Sequence, residues 1–92
     1  MSIISNIINN CGLSKEEAQQ EYESAIESAA ENYVYDVAHG TSGFVALSDA
    51  VESVLSDLGV DADYEMSVAC RIDRYLSEHP EIEANAKKAV QE

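Results

Sequence analysis

Glycine and proline divide this 92-residue sequence into lengths that suit helices. Gly12, Gly40 and Gly59 each follow a stretch in which apolar residues recur every three or four positions, and Pro80 separates two such stretches. That spacing is typical of a helix with one buried face, and a glycine directly after it is typical of a left-handed C-cap. No alternating apolar and polar run of strand length is present. The predicted fold class is therefore all-α, a compact bundle of four or five helices.

Capping residues give the expected bounds of these helices. Ser14 and Glu17 form a capping box at the start of the second helix, and Asp61 is placed to cap the fourth. A second capping-box match at Asp49 leaves open whether the third helix begins, or kinks, near Ser48. The predicted helices cover residues 2–10, 15–38, 43–58, 62–78 and 80–91.

The spacing of apolar residues also predicts which face of each helix is buried. In the first helix this face consists of Ile3, Ile4, Ile7 and Ile8. In the second it consists of Ala18, Tyr22, Ala25, Ile26, Ala29, Tyr33 and Val37. In the third it consists of Phe44, Leu47, Val51, Val54, Leu55 and Leu58, and in the fourth of Tyr64, Val68, Ala69, Ile72, Tyr75 and Leu76. The last helix has a thin apolar face that suits fraying or packing on a partner chain: Ile82, Ala86, Ala89 and Val90.

Length and cysteine content indicate one domain, residues 1–92, in a reducing compartment. Cys11 and Cys70 lack a CxxC spacing and a neighbouring His, so we predict two buried free thiols, with a disulfide between them as the alternative. The opening MSIISNIINNCG has no basic segment typical of an export signal, and no apolar run approaches membrane-spanning length. These features predict a cytoplasmic protein without a membrane partner.

The acidic residues are concentrated in the middle of the chain. There are 18 acids against 5 bases, which gives a net charge of -13. Residues 16–65 hold 13 of the acids and no Lys or Arg. Such a surface repels nucleic acid and anionic membranes, so neither is expected to bind directly. The charge instead predicts a partner protein with a strongly basic surface.

Like charges are also aligned along the second helix. Glu23, Glu27 and Glu31 are four residues apart, as are Glu17 and Glu21. Each such pair costs about 0.2–0.5 kcal/mol of helix stability, and a repeated local cost of this kind suggests a function. A step of four residues rises about 6 Å, and DNA carries one phosphate per about 3.4 Å of axis on each strand. We therefore hypothesise that acids of adjoining helices form a single negative surface that imitates a nucleic-acid backbone.

Two acidic segments carry a resemblance to known proteins. Residues 23–40 read ESAIESAAENYVYDVAHG, and residues 56–65 read SDLGVDADYE. They are similar in character to the helical segments of small phage-encoded DNA mimics, the class that includes Ocr-type antirestriction proteins and acidic anti-CRISPR proteins. The resemblance implies a non-enzymatic inhibitor in the cytoplasm of a bacterial host. It also implies a basic partner, such as a CRISPR effector, a restriction enzyme or another nuclease, whose DNA-binding groove the inhibitor blocks.

Twelve acids and one tyrosine are predicted to contact that partner collectively. Tyr35 lies off the apolar stripe beside Glu31 and Asp36, where an exposed aromatic ring suits an interface anchor. The predicted partner-binding residues are Glu17, Glu21, Glu23, Glu27, Glu31, Tyr35, Asp36, Asp49, Glu52, Asp57, Asp61, Asp63 and Glu65.

No catalytic, cofactor or metal site is predicted. His39 and His79 lie near helix ends without a Cys or His at metal-ligand spacing. Residues 61–72 begin like an EF-hand loop, but Met66 and Ile72 occupy its glycine and bidentate glutamate positions. Two other interpretations stay open. The acids could serve only to solvate one face of a helical interaction module that homodimerises or binds a host factor, or the chain could be an antitoxin against a basic nuclease.

Overall fold

Over residues 3–91, which a computed structural model describes with side chains as far as residue 89, the chain forms five α-helices and one short 3-10 turn. The α-helices are α1 (Ile3–Cys11), α2 (Lys15–Ala38), α3 (Gly43–Leu58), α4 (Glu65–Glu78) and α5 (Pro80–Gln91), and the 3-10 turn (Ala62–Tyr64) precedes α4. No strand is present in the described range, so the all-α prediction is confirmed. Residue 2, which was predicted to begin α1, lies outside that range.

Serine side chains set the starts of α2 and α3. The Ser14 hydroxyl accepts a hydrogen bond from the backbone N–H of Glu17 at 3.2 Å, and the Glu17 carboxylate accepts one from the backbone N–H of Ser14 at 3.4 Å. This is the predicted capping box. The Ser42 hydroxyl accepts from the backbone N–H of Val45 at 3.2 Å, and α3 then continues unbroken. The alternative start of the third helix near Ser48 is therefore wrong.

The link between α3 and α4 is tied to α1 by side-chain amides. Gly59 ends α3, as predicted; it adopts the left-handed conformation (φ +63°), and its carbonyl accepts a hydrogen bond from the Asn10 side chain. Asn10 also donates to the side-chain oxygen of Asn6 at 3.0 Å. The Asp61 carboxylate accepts from Asn6 at 3.5 Å and makes no capping hydrogen bond. The predicted Asp61 cap is therefore wrong, because this carboxylate faces α1 and a 3-10 turn (Ala62–Tyr64) precedes the α-helix.

Helix α2 is central and contacts each of the other four α-helices. Its buried residues recur mainly every fourth position: Ala18, Tyr22, Ile26, Ala29, Ala30 and Val34. Each step of four residues turns the contact line by about 40° around the helix axis. Val34 thus replaces Val37 as the last buried residue, and the prediction for Val37, which is 39% exposed, is wrong. Tyr33, also predicted on this face, is half-buried against the core.

Helix α3 buries its alanines together with most of its predicted face. The buried residues are Ala46, Ala50, Val51, Val54, Leu55 and Leu58. Ala46 and Ala50 were not in the predicted set. Phe44 was in it, but its side chain is 85% exposed, so that prediction is wrong. Phe44 lies in the first turn of α3, beyond the part of this face that the rest of the bundle covers.

Both cysteines are free and exposed, so the prediction of buried thiols is wrong and the alternative disulfide is not formed. Cys11 ends α1, where its sulfur lies 3.6 Å from the carbonyl oxygen of Leu58. Cys70 lies two residues from each of the buried Val68 and Ile72, which places it about 160° around α4 from both. The outward position of Cys70 follows from burial of the opposite side of that helix.

Helix α5 packs against α2 and α4 of the same chain. Ile82 and Ala86 are half-buried there, and Ala89 is exposed. The side chain of Val90, the remaining residue of the predicted face, lies outside the described residues. None of the helices in the described range combines the length and the apolar character needed to cross a bilayer.

Candidate partner-binding surface

The predicted partner-binding residues are exposed, with the exception of Asp36, which is half-buried. Helix α2 carries Glu17, Glu21, Glu23, Glu27, Glu31, Tyr35 and Asp36. Helix α3 carries Asp49, Glu52 and Asp57. The link and the start of α4 carry Asp61, Asp63 and Glu65. All three groups can therefore reach a partner molecule, although Asp36 can do so only in part.

The ion pairs of the described side chains lie in the C-terminal third of the chain. They have nitrogen–oxygen distances of 3.1 or 3.2 Å and are Arg74–Glu78, His79–Glu81 (when the His is protonated) and Lys87–Glu83. The first and last of these pairs each join residues four positions apart on one helix. None of the predicted partner-binding acids forms an ion pair with a side chain in residues 3–89. Their negative charge is therefore not offset locally within that range.

The glutamates of α2 are divided between two flanks of the buried stripe. Glu23, Glu27 and Glu31 each directly follow a buried residue, whereas Glu21 directly precedes one. At 3.6 residues per turn, Glu21 and Glu23 project about 160° apart. The α2 acids are therefore spread over a wide arc of the helix, on both sides of the buried stripe. The row of Glu23, Glu27 and Glu31 turns gradually around the helix axis. It turns at the same rate as the buried stripe, because both repeat every four residues.

Glu27 and Glu31 lie on the side of α2 that faces α4. Partial burial raises the pKa of the Tyr75 phenol in α4. The negative charges of Glu27, Glu31 and Glu81 raise this pKa further. Burial also raises the pKa of Tyr22, and the nearby positive charge of Arg71 partly offsets that rise. Glu27 and Glu31 therefore border the seam between α2 and α4 as well as solvent.

A second acidic patch lies between α2 and α3. Tyr35, Asp36 and Asp49 line a shallow depression of about 330 Å³ together with Tyr33 and Asn32. The exposed Tyr35 ring also stacks on the His39 ring, with centroids 4.0 Å apart. This packing holds the predicted aromatic anchor beside two predicted acids.

A third acidic patch surrounds an apolar groove between α3 and α4. Glu52 and Glu65 line this groove together with Phe44 and Met66. Phe44 was predicted to lie in the core, and Met66 was not among the predicted partner-binding residues. Met66 lies outside the predicted buried face of α4, and this position indicated an exposed apolar side chain. Phe44 fits a buried stripe, so its spacing did not indicate exposure.

A larger groove of about 750 Å³ lies among α2, α4 and α5, and none of the predicted partner-binding residues lines it. It is lined mainly by apolar side chains such as Val34, Val37 and Leu76, and Lys87 lies at its edge. Lys87 is already paired with Glu83 there. Asp73 also lines this groove and forms no ion pair in the described range, so the groove offers a mainly apolar surface with an unpaired acid.

The described residues contain no group of three or more His, Cys, Asp or Glu side chains placed to hold a metal ion. Residues 65–72, which would complete an EF-hand loop, are helical. Comparisons with protein-family models, with curated proteins and with solved structures find no match to this chain.

Proposed function

We propose that this protein is an acidic inhibitor that occupies the basic nucleic-acid-binding groove of a defence nuclease and thereby prevents DNA binding. A CRISPR effector or a restriction enzyme is the expected target. The observation that carries this proposal is the contrast between the two parts of the chain. The exposed acids of residues 16–65 have no described ionic partner, whereas Arg74, Lys87 and His79 pair with acids of α4 and α5.

Spacing and shape support the proposal further. The row of Glu23, Glu27 and Glu31 places a carboxylate about every 6 Å along α2. The molecule is elongated, with principal extents of 43 × 22 × 17 Å, so its long axis matches about 13 base-pair steps of DNA. Acids on two flanks of α2 suit a cleft that encloses DNA, because such a cleft meets phosphates of both strands. A flat partner surface would use one flank alone.

Displacement of DNA from purified enzymes tests the proposal. A panel of CRISPR effectors, restriction enzymes and toxin nucleases would each be loaded with a fluorescein-labelled DNA duplex, and release would be followed by anisotropy. We expect the parent protein to displace DNA from at least one member of the panel. We also expect displacement to weaken as salt rises, because association between opposite charges is screened.

A matched pair of triple variants separates the α2 row from total charge. Both variants remove three negative charges. The test variant changes the row (Glu23→Gln, Glu27→Gln, Glu31→Gln), and the control changes acids that have ionic partners (Glu78→Gln, Glu81→Gln, Glu83→Gln). We expect the test variant to inhibit about tenfold to a hundredfold more weakly than the control. Equal inhibition by the two variants, or no displacement by the parent protein, would contradict the proposal.

One observation favours a second candidate, a helical module that binds a host protein or a second copy through an apolar surface. Phe44 and Met66 are the most exposed of the large hydrophobic side chains described. Binding through them would persist at high salt, whereas DNA mimicry would not. An antitoxin would use the same acidic surface as the inhibitor, and inhibition confined to a toxin nuclease in the panel would identify it.

A further inference from the structure

The groove between α3 and α4 exposes two large apolar side chains at one place. Phe44 in the first turn of α3 is 85% exposed, and Met66 in the first turn of α4 is 78% exposed. Both line the same groove. Phe and Met are enriched at protein interfaces, and apolar side chains that cluster on a surface suggest binding more strongly than single ones do.

The groove has dimensions that suit side chains of a protein. Phe44, Leu47 and Val51 line it from α3 at positions i, i+3 and i+7, and Met66 and Ala69 line it from α4. Its volume is about 220 Å³, below the range of about 300–1,000 Å³ that is usual for small-molecule sites. Two helices with a shallow apolar channel between them are a common receptor for a third helix.

The negative charges at the rim of the groove favour one kind of partner helix. Glu52 lies on the α3 side and Glu65 on the α4 side, both exposed and both without an ion pair to a side chain in the described range. A second copy of this chain would bring the same two acids, on a molecule of net charge -13, against this rim. Like charges facing each other across an interface oppose binding, whereas lysine or arginine would complement them.

We propose that this groove binds a basic amphipathic helix of a partner protein. One apolar edge of that helix would pack between Phe44 and Met66, and its flanking lysines or arginines would lie near Glu52 and Glu65. This site deepens the second candidate function, on which it rests, and it differs from the proposed DNA mimicry: it shares Glu52 and Glu65 with the predicted acidic set but adds apolar contacts and lies outside the α2 row. The two proposals can therefore fail separately.

A synthetic peptide serves as the probe. A fluorescein-labelled amphipathic helix of leucine and lysine would be titrated with the protein and followed by anisotropy, with a leucine and glutamate peptide of the same pattern as the control. We expect the lysine peptide to bind and the glutamate peptide not to bind. Absence of binding by the lysine peptide, or equal binding of the two, would overturn the proposal.

Single substitutions locate the binding site. Phe44→Ser and Met66→Ser should each weaken peptide binding by about tenfold or more, as expected for interface anchors. Val45→Ser is the matched control, because Val45 is exposed beside Phe44 but does not line the groove. All three side chains are exposed, so thermal unfolding should stay close to that of the parent protein. Equal loss of binding in the Val45 variant would place the peptide elsewhere and overturn the proposal.

Two double variants test the rim against general attraction to an acidic protein. Glu52→Gln with Glu65→Gln should weaken binding of the lysine peptide more than Glu17→Gln with Glu21→Gln, although both remove two charges. Equal weakening would overturn the proposal. Sedimentation equilibrium tests whether a second copy of the chain binds the groove. A dimer of the parent protein that Phe44→Ser converts to monomer would assign the groove to a second copy and overturn the proposal. The Phe44→Ser variant should still displace DNA in the nuclease panel, which keeps the two proposals distinct.

Discussion

Replacing Glu27 with Gln is expected to stabilise the folded protein. Glu27 is exposed in α2 and has Glu23 and Glu31 one turn away on either side. Removing two like-charge pairs of about 0.2–0.5 kcal/mol each should raise the free energy of unfolding by about 0.4–1 kcal/mol. Gln and Glu have nearly equal helix propensity, so the gain would be electrostatic. In a domain of this size it corresponds to a rise in Tm of about 2–8 °C.

Thermal unfolding followed by circular dichroism measures this effect, in low salt and in about 1 M NaCl, where the Debye length is about 3 Å. The gain should appear in low salt and largely vanish in high salt. Glu31→Gln is the graded control, because Glu31 has a single acid four residues away, Glu27. It should give about half of the stabilisation.

Three results would contradict an electrostatic origin of this stabilisation. The first is a Glu27→Gln variant no more stable than the parent protein in low salt. The second is a gain that survives high salt, which would assign it to packing or propensity. The third is a Glu31→Gln variant that gains as much as Glu27→Gln. If stability rises as expected while DNA displacement weakens, the α2 row is retained at the expense of stability, as is common at functional sites.

Three further predictions follow from the fold. Ile26 is fully buried in α2, so Ile26→Ala should lower the free energy of unfolding by about 2–5 kcal/mol, measured by urea titration; a loss below 1 kcal/mol would contradict its place in the core. Ser14→Ala should cost about 1 kcal/mol in the same assay through loss of the bond to Glu17, and Ser14→Asp should retain most of the stability. The raised pKa values of Tyr22 and Tyr75 mean that the folded state holds phenolic protons that the unfolded chain releases above its ordinary pKa of 10.0. Stability should therefore be unaffected by these groups below about pH 9 and fall as pH rises through the folded pKa values; a urea midpoint that stays constant while both phenols ionise would refute this.

Much of the helical framework could be predicted from the sequence because helix ends are local. The Ser14 capping box and the left-handed glycine at position 59 act within a few residues of the backbone that they cap. The link before α4 differs from the prediction because of a long-range contact, which the spacing of residues in the sequence does not indicate. Asn6, fifty-five positions away, donates to Asp61, so the residue that suits a cap makes a tertiary contact instead.

The candidate surface could be predicted less completely. The excess of acids over residues 16–65 and the pairing of Arg74 with Glu78 follow from sequence position and from i,i+4 geometry. The division of the α2 glutamates between two flanks follows from helical winding. Which of these glutamates lie next to α4 depends on how the two helices pack. The groove at Phe44 and Met66 depends on how α3 packs against α4.

Local interactions are enough to predict that this chain forms acidic helices, because caps, turns and helical periodicity act over a few residues. The faces that those helices bury depend on how the helices pack together. Val37 and Phe44 have the spacing of core residues and are exposed, while Ala30 and Ala46 are buried. The physical reason is that burial depends on where other helices pack, and such contacts join residues far apart in the chain.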